Sequence, residues 1–98
     1  MVYRVILSLE AQNDLREIKR YISLDSSQAA ERFAQRLAKT TSLLETHPEM
    51  GRMFPEMRNI TIREIVVGNY RIIYEVNSLK RQVKIARYWH AARGTPEL

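Results

Sequence analysis

Between residues 68 and 76 the chain reads GNYRIIYEV, and Tyr70, Ile72, Tyr74 and Val76 alternate with Arg71, Ile73 and Glu75. A period of two is the mark of a strand that turns one face to a core. The same reasoning predicts strands over about 2–8 (VYRVILS), 60–67 (ITIREIVV), 69–76 and 82–90 (QVKIARYWH). Between the first two the period changes. Ala11, Leu15, Ile18 and Ile22 recur at spacings of four, three and four, which is one face of a helix over about 9–23. Ser8 stands where an N-cap belongs, and Glu10 lies in the first turn, where the helix dipole favours a carboxylate. Asp14, Arg16, Glu17, Lys19 and Arg20 fall to the remaining, solvated side. Ser26 or Ser27 can cap a second helix, whose stripe is Ala30, Phe33, Leu37 and Leu44. Pro48 and Gly51 end it near residue 46.

The pattern predicts the order β-α-α-β-β-β in one α+β domain spanning 1–98. A helical hairpin over about 9–46 packs on one face of a mostly antiparallel sheet. Residues 52–59 read as a loop. Gly68-Asn69 reads as a two-residue hairpin turn, with glycine first as a type II′ turn prefers. The polar tail AARGTPEL is expected to fray. If Tyr70, Ile72 and Tyr74 face the helices, Arg71 points from the opposite, more open sheet face.

Composition narrows this picture without redirecting it. Ninety-eight residues cannot divide their apolar share between two cores. With 45% hydrophobic and 28% charged residues, the chain has a globular composition. There is no cysteine, hence no disulfide or thiolate site, and a reducing compartment is the simpler expectation. The N-terminal sequence lacks the basic and long apolar regions of a signal peptide, and no stretch approaches the roughly 20 apolar residues of a membrane span. A cytoplasmic protein with no membrane association is expected. The net charge of +5 favours anionic or acidic partners. Residues 8–47 carry six basic and six acidic side chains, whereas residues 48–98 carry nine and five, so the surplus sits in the second half.

Phosphate-loop, dinucleotide-binding, nucleophile-elbow and zinc-protease motifs are all missing, and the two histidines, His47 and His90, lie far apart. Neither a metal nor a cofactor is expected. What remains is a basic and aromatic collection: Arg52, Arg58, Arg63, Arg71, Lys84, Arg87, Tyr88, His90 and Arg93. In the last strand Lys84, Tyr88 and His90 share a parity, with Val83, Ile85 and Trp89 on the other face. Arg71, Lys84, Tyr88 and His90 are thus expected on one sheet surface. Guanidinium groups there would clamp phosphate, aromatic rings would stack on unpaired bases, and His90 could give a proton to a leaving oxygen. The plainer alternatives are an ion pair of Arg71 with Glu64 or Glu75, His90 as a strand-end cap, and Tyr70 and Tyr74 as core aromatics.

Taken in order, SLEAQNDLREIKRYI, SSQAAERFAQRL, LLETHPEMGRMFPEM, IREIVVGNYRIIYEV and VKIARYWHAAR resemble the RelE/ParE toxin superfamily of type II toxin–antitoxin systems over nearly the whole chain. That resemblance implies a β-α-α-β-β-β toxin and a cognate antitoxin, acidic and partly disordered, that wraps and blocks it. One branch cleaves mRNA on the ribosome without metal. There Arg71 matches the arginine of the YR strand motif, His90 resembles a late-strand histidine, and Arg63 is the remaining base of its strand. Ile62 and Glu64 stand where lysine-using members carry lysine, and a carboxylate base would be Glu49, Glu56 or Glu64. The other branch, associated with plasmid stabilisation, poisons DNA gyrase by binding. The helical hairpin, the GRMFPEM loop and the WHAAR end are more similar to this branch. There Arg71, Arg63 and the C-terminal strand would be binding or structural elements, and Arg52, Arg58, Lys84, Arg87, Tyr88 and Arg93 are the candidate binding residues. A decayed toxin that only binds antitoxin is a third alternative.

Overall fold

The structure is a computed structural model and describes residues 2–98. The chain runs β1 (Arg4–Leu7), α1 (Leu9–Ser23), α2 (Ser27–Leu43), β2 (Arg52–Met53), β3 (Ile62–Val67), β4 (Tyr70–Asn77), β5 (Gln82–His90) and a short 3-10 turn, Ala91–Arg93. Both helices start at the serines that the pattern marks. Ser8 Oγ accepts the Ala11 N–H at 3.0 Å and Ser26 Oγ accepts the Ala29 N–H at 3.1 Å. The Ser8 hydroxyl also donates to the Ala86 carbonyl at 2.8 Å, which fixes the start of α1 against β5.

The five strands are ordered β1-β5-β4-β3-β2, parallel between β1 and β5 and antiparallel elsewhere. Val67 pairs with Tyr70 around Gly68-Asn69, and Gly68 alone of the two has a positive φ, +58°, as a type II′ turn requires. On one sheet face Ile72, Tyr74, Val83, Ile85 and Tyr88 pack with Ala11 and Ile18 of α1 and Leu37 of α2. Each aliphatic side chain fully buried there contributes about 1.5–3 kcal/mol. The opposite face carries a smaller cluster of Phe54, Ile73 and Trp89, flanked by Ile62 and Ala86.

Four local expectations change. α2 stops at Leu43 and continues only as turns to Thr46. The 52–59 segment contains the two-residue strand β2, paired with β3 as Arg52↔Glu64 and Met53↔Arg63. The tail does not fray: Pro96 is buried, and the Trp89 indole N–H donates to the Gly94 carbonyl at 3.1 Å. A bulge in β5 is the fourth. Ile73 pairs with Arg87 but Tyr74 pairs with Ile85, so Ala86 has no partner and side-chain parity reverses beyond it.

Candidate functional site

The bulge divides the expected surface in two. Lys84, before it, pairs with Glu75 and is exposed. Tyr88, beyond it, turns toward the helices, is buried, and shares a 2.8 Å hydrogen bond with the Thr41 hydroxyl. Burial pushes its phenol above the usual tyrosine range. His90 lies opposite Tyr70 on that same helix side, their rings in edge contact at 4.9 Å. Its Nδ1 accepts the Ala92 N–H at 3.0 Å, so it caps the 3-10 turn. Trp89 takes the face expected for Tyr88 and His90, and lies opposite Arg71. Arg71, Tyr88 and His90 therefore do not form one surface.

Arg71 sits at the centre of an ion-pair cluster. Its Nε donates to Glu64 Oε1 at 2.5 Å, while Nη1 and Nη2 grip Glu56 bidentately at 2.7 and 2.6 Å. The guanidinium also lies over the Phe54 ring, 5.2 Å from its centroid. Glu64 is fully buried and accepts from Arg52 Nε at 2.6 Å through its other oxygen. Two guanidiniums and two carboxylates thus cancel. The hydrogen bonds that Arg71 donates to Glu56, opposed by burial and helped by Glu64, raise the Arg71 pKa, and the same bonds hold Glu56 below the usual carboxylate range. β2 makes this possible, because it brings Arg52 beside Glu64. The Glu64 alternative for Arg71 is the one realised. Glu75 instead lies opposite Lys84, and Glu56 is an unforeseen second partner.

Arg63 points to the other side of the sheet and ties down a loop, donating to the Gly51 carbonyl at 2.8 Å. Arg58 is exposed in the 54–61 loop. Arg87 leaves β5 at the bulge and meets Asp14 of α1 through Nε and Nη2, both at 2.8 Å. Asp14 Oδ2 also accepts the Tyr88 backbone N–H at 3.0 Å. Asp14 is accordingly buried, against the solvated position expected of it. Its spacing, three after Ala11 and four before Ile18, is the sequence signal that places it on the apolar stripe. The Asp14 hydrogen bonds raise the Arg87 pKa. Arg93 lies over Trp89, 4.0 Å from the ring centroid.

Between α1 and the far ends of β4 and β5 opens a cleft of about 380 Å³, which includes Asp14, Glu17, Arg20, Arg87, His90 and Arg93 in its wall. Among the described residues no three His, Cys, Asp or Glu side chains come together as metal ligands would. Among the described residues no helix is long and apolar enough to cross a membrane.

A sequence model described as the ParE toxin of the type II toxin–antitoxin system parDE matches residues 5–94. The chain belongs to the ParE toxin family. This toxin is also similar to a Caulobacter vibrioides protein named Toxin RelE2, at 37% identity over 92 residues, covering 92% of this chain and 97% of that one. Its fold is that of the chromosomal ParDE toxin–antitoxin system from P. aeruginosa, with a TM-score of 0.73 at 16% identity over 91% of this chain and 96% of the other. It is likewise that of the RelBE2 toxin–antitoxin complex from Mycobacterium tuberculosis, with a TM-score of 0.68 at 18% identity over 92% of each chain. The ParE-type chain thus has the α+β architecture of RelE/ParE toxins, with two helices on a five-stranded sheet.

Proposed function

We propose that this toxin arrests growth by binding a protein target, DNA gyrase, and that a cognate acidic, partly disordered antitoxin neutralises it. The observation that carries this reading is the occupied state of Arg71. Cleavage of RNA by in-line attack needs a cation free to meet the charge that develops on phosphorus, and an acid beside it. Arg71 has both edges of its guanidinium engaged by Glu64 and Glu56, and His90 lies on the opposite sheet face. In β3, Ile62 and Glu64 stand where a lysine would be needed, and Lys84 on β5 lies opposite Glu75. The parDE family match and the toxin–antitoxin systems among the structural relatives support an antitoxin partner.

The second reading, ribosome-dependent mRNA cleavage, draws on the RelE name of the Caulobacter relative. Induced expression in bacteria that carry a DNA-damage reporter separates the two. Arrest with the reporter switched on is expected. Arrest with a silent reporter and new cuts in mRNA would overturn the gyrase reading.

A further inference from the structure

The second-half charge surplus is not on the Arg71 face, where two cations meet two carboxylates. Two of its members, Arg87 and Arg93, line the cleft beside α1. Arg20, Arg87 and Arg93 share the cleft wall with Asp14 and Glu17, and Glu97 and Glu10 also lie close enough to act on Arg87. Arg87 is taken by Asp14, and Arg20 pairs with Glu17 at 3.0 Å. Arg93 has no carboxylate within ion-pair distance among the described residues. Its position is nonetheless defined, because its guanidinium is stacked on Trp89, and Trp89 is anchored through its N–H to Gly94. His90 adds a second donor. Since Nδ1 accepts from Ala92, the ring proton of neutral His90 is on Nε2. Edge contact with Tyr70 holds the ring, and Tyr70 is itself packed against Phe33.

We propose that this cleft is a binding site for a single carboxylate, received between Arg93 and His90 and supplied by an acidic side chain of the toxin's protein target. The anion site follows from the geometry alone; assigning the carboxylate to a protein target rests on the binding reading given above. One guanidinium without a carboxylate among the described residues, that of Arg93, suits one monoanion. A nucleic acid brings a negative charge with every nucleotide, and Glu17 and Asp14 on the α1 wall oppose a run of them. A charge-assisted hydrogen bond to guanidinium is worth about tenfold or more in affinity.

The test is a titration of isotope-labelled toxin with N-acetyl-glutamate α-amide, followed by two-dimensional NMR at constant ionic strength, with inorganic phosphate as a second probe. Saturable shifts at His90, Ala92 and the Arg93 side chain are expected. They should weaken about tenfold in Arg93→Gln and persist in Lys80→Gln. Shifts that climb without saturating, or that Arg93→Gln leaves unchanged, would overturn the site. Tighter binding of phosphate than of the carboxylate would overturn the protein partner in favour of nucleic acid. The same spectra show whether Arg93→Gln is folded. A folded Arg93→Gln toxin that arrests growth as fully as the parent would remove the carboxylate site from target binding while leaving the gyrase reading standing.

Discussion

Replacing Arg71 by methionine separates a structural arginine from a ligand-binding one. Methionine keeps the apolar stem but removes the guanidinium that Glu64 and Glu56 both grip. The Glu64 side chain is fully buried and that of Arg71 is only 12% exposed, so the Glu64 contact behaves as a buried pair. Breaking such a pair from one side costs about 3–5 kcal/mol, because the other charge stays behind. Arg52 still serves Glu64 and draws the cost to the lower end of that range. The more open Glu56 pair adds about 0.5–1 kcal/mol, and the contact with Phe54 a similar amount. A loss of about 4–5 kcal/mol is therefore expected, a large part of the roughly 5–15 kcal/mol that holds a domain together. Urea unfolding followed by the fluorescence of Trp89, the single tryptophan, measures it. Adding Glu64→Gln to Arg71→Met removes the stranded charge and should recover about 1–2 kcal/mol. A loss below about 1 kcal/mol, or no recovery in the double variant, would refute the structural role.

Asp14→Ala strands Arg87 and leaves the buried Tyr88 N–H without its acceptor, so a loss of about 3 kcal/mol is expected in the same assay. Glu56 has its folded pKa depressed by Arg71, so its contribution is complete above the ordinary carboxylate range and disappears as pH falls through the lower, folded value. Stability measured against pH below about 4.5 should fall less steeply in Glu56→Gln than in the parent. Gly51→Ala would place a Cβ 2.6 Å from Tyr74 Oη and 2.7 Å from the Glu64 carbonyl oxygen. It should cost about 2–3 kcal/mol and weaken the 2.9 Å bond from the Gly51 N–H to Tyr74, read by urea unfolding and by hydrogen exchange at Gly51.

Both helices, their serine caps and the last strand follow from periodicity, because hydrophobic spacing and capping act locally. The candidate site was less legible for three reasons. The β5 bulge at Ala86 carries no glycine to mark it, yet it reverses the parity on which the grouping of Tyr88 and His90 with Arg71 depended. β2 is two residues long, too short to show a period, and it brings Arg52 to Glu64. The tail looks polar in sequence, but Pro96 is buried and the Gly94 carbonyl accepts the Trp89 indole N–H, a contact that exists only after the sheet has formed. Asp14 is the opposite case. Its place on the apolar stripe was visible in its spacing, and its charge was what concealed it.

The most direct test of the account is supercoiling of relaxed plasmid by purified gyrase with increasing amounts of toxin. Inhibition that cognate antitoxin reverses is the predicted result. Full supercoiling in the presence of excess folded toxin would contradict the claim that this ParE-family chain acts by binding gyrase.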